Sequence, residues 1–154
     1  VSRKYNVAVV GANGAVGEEI LAILEELNFP LNKLVPLASQ RSVGKSVDFK
    51  GRSVPIQELT NTIFQEENIE IALFSAGGSV SAQFAHAAVE AGAVVIDNTS
   101  HFRMDKNTPL VVPEVNPEDI AQWTNTGIIA IQIVQLFKWF RHLNLSMTCM
   151  VFKE

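Results

Sequence analysis

The sequence predicts an α/β fold, Rossmann-like, with a mostly parallel sheet covered by helices on both faces. Three observations carry that expectation. Short apolar strand-like runs alternate with helix-length patterns through most of the 154 residues. No internal repeat or low-complexity linker interrupts the alternation. The first strand-like run passes into a helical pattern through three closely spaced glycines, Gly11, Gly14 and Gly17.

Taken in order, "NVAVV" at 6–10 reads as the first strand, followed by a helix over about 15–27. A second strand, "LVPLA", covers 34–38, and the polar stretch "KSVDFKGRSVPIQEL" at 45–59 reads as a hairpin. "IALFS" at 71–75 is a strand, a helix follows over about 79–91, and Gly92 after "AHAAVEA" reads as its C-terminal stop. "VVID" at 94–97 is a further strand, 110–112 a short run, and Pro117 suits the first turn of a short helix. "GIIA" at 127–130 reads as the end of a buried strand. These residues, 1–130, form one domain.

Residues 131–154 read as a divergent tail, helical at first. The stretch from 136 onward holds three of the nine phenylalanines and neither glycine nor proline. Positions 133, 136, 137, 140 and 143 suit one face of a helix. A terminal helix docked on the core and an amphipathic helix lying on a membrane surface both fit that pattern.

Composition narrows the function classes. An apolar content of 47% is ordinary for a globular domain of this length. A net charge of -4 gives no broad basic field, so neither nucleic acid nor an anionic membrane is the expected partner. The single cysteine, Cys149, excludes an internal disulfide framework and fits a reducing compartment, and a cytoplasmic location is expected. No apolar run approaches the roughly 20 residues that a bilayer span requires.

The chemistry-bearing motif is "VAVVGANGAVGEEILAIL" at 7–24. Glycine permits a tight turn, lets backbone N–H groups approach a pyrophosphate and allows close helix packing, while the helix N-terminus supplies positive potential. The spacing is G-x-x-G-x-x-G rather than the commoner G-x-G-x-x-G. The end of the second strand then indicates which dinucleotide fits. An NAD site commonly places Asp or Glu there, whereas "ASQRSVGK" offers Ser39, Arg41, Ser42 and Lys45 and no carboxylate. Arg41 can pair with a 2′-phosphate and the serines can donate to its oxygens, so the expected cofactor is NADP. The plainer alternative is a solvated loop with two incidental cations.

Together, "VAVVGANGAVGEE", "ASQRSVGK", "LFSAGGSVS", "VIDNTSHFRMD" and "VPEVNP" resemble, in order and context, the nucleotide-binding half of the aspartate-β-semialdehyde dehydrogenases over residues 6–130. "DNTSHFRMD" followed by "VPEVNP" favours that family over the acetylglutamyl-phosphate reductases and glyceraldehyde-phosphate dehydrogenases. The resemblance implies NADP-dependent, phosphate-requiring interconversion of aspartate semialdehyde and aspartyl phosphate, in the biosynthesis of lysine, threonine and methionine. It implies that Gly11, Ala12, Asn13, Gly14, Ala15 and Val16 line the pyrophosphate, and that Arg41 and Ser42, with Ser39 on the same loop, hold the 2′-phosphate. Ser75, Ala76, Gly77 and Asn98 would sit along the cofactor. Arg103 would bind the phosphate of substrate or product. A surface ion pair with Asp105 is the alternative for Arg103.

One departure bears on activity. The family follows its "GIIA" strand with an Asn-Pro-Asn-Cys-Ser-Thr turn and then a helix. Here "GIIA" at 127–130 runs directly into "IQIV" at 131–134. In the family the turn's thiolate attacks the aldehyde, hydride passes to the nicotinamide and phosphate releases the acyl group. No catalytic residue is therefore assigned, and no metal site. Cys149 reads as a packing residue, and His86, His101 and His142 as structural or solvent-facing. The family's acid-base histidine and substrate-carboxylate arginine belong to a second domain, expected to be absent along with most of the dimer surface. The expectation is a shortened, inactive NADP-binding chain with a distorted last crossover and an uncovered apolar face. An interaction module or non-functional product that self-associates is the alternative.

Overall fold

The computed structural model describes residues 3–112 and 114–132. The helix expected from residue 133 onward, His142 and Cys149 lie outside the described residues.

Eight strands and three α-helices are present among them. β1 (Tyr5–Val10), β2 (Leu31–Ala38), β5 (Gln57–Glu58), β6 (Ile71–Phe74), β7 (Val94–Asp97) and β8 (Ile128–Ala130) form one sheet in the order β5-β2-β1-β6-β7-β8. Every pairing in it is parallel. The order runs outward in both directions from β1, the doubly wound arrangement of a Rossmann fold. β3 (Ser46–Phe49) and β4 (Arg52–Pro55) make the separate antiparallel hairpin expected within 45–59. Its two-residue turn, Lys50–Gly51, has φ of +51 and +75, which suits the twist of a tight hairpin.

Strand alternation divides the core into two layers. Tyr5, Val7 and Val9 of β1, Ile71 and Leu73 of β6, and Val94 and Ile96 of β7 pack with Ile20, Leu21 and Leu24 of α1 (Ala15–Glu26). Ala8 and Val10, Ala72 and Phe74, and Val95 face the other way, toward α2 (Ile63–Glu66) and toward Ala85 and Ala88 of α3 (Gly78–Glu90). Because both faces are covered, these strands read as continuous apolar runs. α3 ends where expected. Gly92 N–H bonds to Val89 O at 2.9 Å and Ala93 N–H to Ala88 O at 3.0 Å, with Gly92 at φ +94.

Three features differ from the sequence reading. β5 and α2 are additional, since two polar residues and one helical turn carry no periodic signal of their own. The helix beginning at Pro117 is a 3-10 helix, Pro117–Asn125. Ile131, grouped on sequence grounds with a helical tail, instead follows β8 directly and stays on the sheet. Its N–H bonds to Asp97 O at 2.9 Å and it is fully buried. Ile129 and Ile131 belong to the α1-side layer and Ile128 and Ala130 to the α3-side layer, so the strand alternation runs through the "GIIA"–"IQIV" junction.

Candidate functional site: a dinucleotide cleft

The sheet order reverses between β2 and β6 on either side of β1, and a cleft of about 580 Å³ opens there at the carboxyl ends of the strands. Val10, Gly11, Asn13 and Gly14 line one part of it. Ala38, Ser39 and Gln40 line another, Ser75 and Ala76 a third, and Leu59, Val80 and Phe84 supply apolar wall.

The glycine turn is built by three backbone bonds. Gly11 N–H and Ala12 N–H both donate to Leu37 O, at 2.8 and 3.3 Å, and Gly14 N–H donates to Gly11 O at 3.1 Å. The N–H groups of Asn13, Ala15 and Val16 take no partner among the described residues. They form the entry to α1, where unpaired donors and the helix dipole favour an anion. Ala12 is fully buried with its N–H spent on Leu37 O; of the expected residues 11–16, Gly11, Asn13 and Gly14 line the cleft, and Ala12, Ala15 and Val16 do not.

The three glycines have different reasons. At Gly17 a Cβ would stand 2.1 Å from Gly11 O and 2.8 Å from Ala12 Cα, so the packing of helix on turn forbids it. At Gly11 it would stand 3.0 Å from Ala76 Cα, with φ at +86. At Gly14 it would meet only Gly11 O at 3.4 Å, an ordinary contact, with φ at -83. The chain itself does not demand glycine at position 14.

The loop after β2 is a 3-10 turn, Gln40–Ser42, entered from Ser39. Arg41 is exposed on it and makes no ion pair among the described residues. Ser42 is 7% exposed, and its Oγ accepts from Asn13 Nδ2 at 2.7 Å, joining this turn to the glycine turn. On the far wall, Ser75 donates to Val10 O through both N–H (3.0 Å) and Oγ–H (2.9 Å). Gly77 caps α3 at φ +102 and lies outside the cleft lining.

Asn98 and Arg103 form a second group at the end of β7. Arg103 Nη2 donates to Asn98 O at 2.8 Å. Asn98 Oδ1 and Arg103 Nε are buried and have no hydrogen-bond partner among the described residues. The ion pair between Arg103 and Asp105 does not form: the Asp105 carboxylate instead accepts Asn107 N–H at 2.9 Å and Thr108 Oγ1–H at 3.1 Å. Asp97, Ser81 and Thr99 support this group through a buried network that the sequence reading missed. Leu59, Val80 and Phe84 were also missed. Val80 and Phe84 share the i, i+4 spacing of one helical face, the only signal available. His86 and His101 are exposed and set their ring edges against Phe102, with centroids 5.8 and 4.6 Å away. Among the described residues no group of three or more His, Cys, Asp or Glu side chains is placed to hold a metal ion, and no helix is long and apolar enough to cross a membrane.

The doubly wound order, the cleft at its switch point and the open N–H groups beside a glycine turn define a dinucleotide-binding Rossmann domain. A family described as "Semialdehyde dehydrogenase, NAD binding domain" matches residues 6–123. The chain belongs to that family, and its domain is of the nicotinamide-dinucleotide-binding kind. It is 59% identical over 144 residues to aspartate-semialdehyde dehydrogenase of Campylobacter jejuni, covering 90% of this chain and 42% of that one. With aspartate-semialdehyde dehydrogenase 2 of Vibrio cholerae it shares 55% over 130 residues, covering 84% and 38%. The crystal structure of aspartate semialdehyde dehydrogenase II complexed with ASA from Vibrio cholerae superposes with a TM-score of 0.80 at 50% identity, over 92% of this chain and 45% of that one. The enzyme from Candida albicans, solved with NADP, gives 0.66 at 27% identity, over 83% and 42%. The chain thus spans about two fifths of the length of the curated relatives it matches.

Proposed function

We propose that this chain binds NADP in the switch-point cleft, as the nucleotide half of an aspartate-semialdehyde dehydrogenase, and does not itself oxidise the aldehyde. The observation that carries the reading is Gly14. The fold leaves room for a side chain there, yet the residue is glycine, at the mouth of a cleft where three backbone N–H groups stand open. Absence of a Cβ at such a point suits close approach of a pyrophosphate. Arg41, exposed and without an ion pair among the described residues, supports the 2′-phosphate, and the Candida albicans relative was crystallised with NADP.

When bound, the nicotinamide supplies a hydride acceptor. The chain's own residues bind and orient it: the Asn13–Val16 entry to α1 holds the pyrophosphate, Ser39 and Arg41 hold the 2′-phosphate, and Ser75 and Ala76 bound the cleft. Arg103, tied to Asn98 O, offers its guanidinium to a phosphate group.

The non-catalytic part of the reading rests on the strand junction. Ile131, directly after β8, is a buried core residue bonded to Asp97 O where a nucleophile-bearing turn would have to leave the sheet. The Campylobacter alignment fits this. It runs over 144 positions while occupying 90% of a 154-residue chain, more positions than the matched stretch supplies, so it opens gaps in this chain.

Calorimetric titration of the purified chain with NADP and with NAD, in one buffer and salt, tests the proposal. An assay of NADPH production from aspartate semialdehyde and phosphate accompanies it. Saturable binding that prefers NADP, without turnover, is expected. Binding to neither cofactor overturns the reading; if the chain then also associates with rising concentration, the alternative of an interaction product stands instead. Phosphate-dependent turnover overturns the non-catalytic part.

A further inference from the structure

The Asn13–Ser42 hydrogen bond points to a specificity device within the cleft, an inference that rests on the NADP reading above. Asn13 belongs to the glycine turn that follows β1, Ser42 to the 3-10 turn that follows β2, and the two are 29 residues apart in sequence. Their side chains meet at 2.7 Å, with the Asn13 amide donating and Ser42 Oγ accepting. Of the two, Asn13 is exposed and lines the cleft, whereas Ser42 is buried.

Two consequences follow from that geometry. The bond ties the turn whose N–H groups face the pyrophosphate to the turn that carries Ser39 and Arg41, and so fixes the spacing between two anion positions. It also sets the polarity of Ser42. A hydroxyl has one proton, and an Oγ that accepts from an amide keeps that proton to give elsewhere. The Ser42 backbone N–H is already spent on Ser39 O at 2.9 Å, so the hydroxyl proton is what the residue has left to offer an anion.

We propose that Asn13 is a positioning residue for dinucleotide selectivity. By holding Ser42 as an acceptor, it keeps the 2′-phosphate turn in register with the glycine turn and leaves that turn poised to donate, favouring NADP over NAD.

The test is a double-mutant cycle read as the ratio of NADP to NAD dissociation constants, with melting temperatures measured alongside. Asn13→Ala and Ser42→Ala should each lower NADP affinity by about three- to tenfold, the range expected for one hydrogen bond, and NAD affinity by less. The double variant should be no weaker than either single one. Asn13→Asp keeps a link but forces Ser42 to donate into it, so the preference for NADP should fall although the turns stay joined. Wild-type chain that binds neither cofactor would fail the underlying reading itself. Wild-type preference for NADP with additive losses, or with equal losses for both cofactors in the variants, would overturn this inference alone. So would an Asn13→Asp chain with unchanged preference.

Discussion

The Asp97 carboxylate, fully buried at the end of β7, accepts the hydroxyl of Ser81 on α3 at 3.0 Å, across 16 residues of sequence. The same carboxylate takes the Thr99 N–H at 2.9 Å and the Thr99 Oγ1–H at 2.8 Å. Asp97 thus fastens the first turn of α3 to the loop that carries Asn98 and Arg103. Replacing it with alanine strands buried donors, and unpaired donors cost more than their bonds gained. Asp97→Ala should lose about 3 kcal/mol in denaturant unfolding, and Asp97→Asn, which keeps one acceptor oxygen, should lose less. An alanine variant as stable as the parent would mean that the network is incidental.

Gly14 and Gly17 should separate under the same substitution. Gly17→Ala puts a methyl 2.1 Å from Gly11 O and should destabilise the fold by about 3 kcal/mol, as overpacking against backbone does. Gly14→Ala meets only an ordinary contact and should change stability by less than about 1 kcal/mol. Its cost should appear in titration instead, as a loss of about tenfold or more in affinity for both dinucleotides, since both carry the pyrophosphate. Equal melting points together with equal affinities would remove Gly14 from the site.

Arg41 should discriminate between the cofactors. Its guanidinium is exposed and free of ion pairs among the described residues, so Arg41→Ala should leave stability within about 0.5 kcal/mol of the parent. NADP affinity should drop by about tenfold, as for loss of a charge-assisted bond, while NAD affinity stays within about twofold. Raising the salt should weaken NADP binding to the parent more than to the variant.

Arg103 should report on inorganic phosphate. In a titration followed by backbone amide shifts, phosphate should move the signals of residues 98–103 in the parent chain, and Arg103→Ala should abolish that response. Arg103→Lys should restore only part of it, because a point charge lacks the planar fork and cannot both reach Asn98 O and face the anion. Shifts that persist in the alanine variant would place the anion elsewhere.

How far the sequence could be read depended on whether each residue's environment was local. β1, β6 and β7 are buried on both faces, and an apolar run reports that directly. α1 and α3 carry their helical patterns in their own letters, and α3 its stop at Gly92. Gln57 and Glu58 enter the sheet only because Ala38 and Leu37 stand beside them in register, and neither letter signals a strand. The site divides in the same way. Gly11, Asn13, Gly14, Ser39, Ser75 and Ala76 sit in short motifs at strand ends, and the structure brings them into one cleft. Leu59 and Phe84 look like ordinary core residues until the crossovers place them on its wall. Asp97 was read only as the last letter of a strand, because its partner Ser81 lies on another element.

The two margins of the main sheet have a bearing on how this chain behaves in concentrated solution. On one side the sheet ends in β5, only two residues long. On the other, the three-residue β8 is bridged by Leu110, with Val111 N–H bonded to Ala130 O and Ala130 N–H to Pro109 O, both at 2.9 Å. A neighbouring molecule seeking a strand to extend finds occupied backbone at the β8 margin, whereas on the other side β5 pairs with β2 only at Leu37 and Ala38 and leaves the outer edge along 31–36 without a strand partner among the described residues. Within the described residues, then, the β8 margin is closed to edge-to-edge pairing, and clumping of this chain through open hydrogen-bonding rows would have to begin along the outer edge of β2.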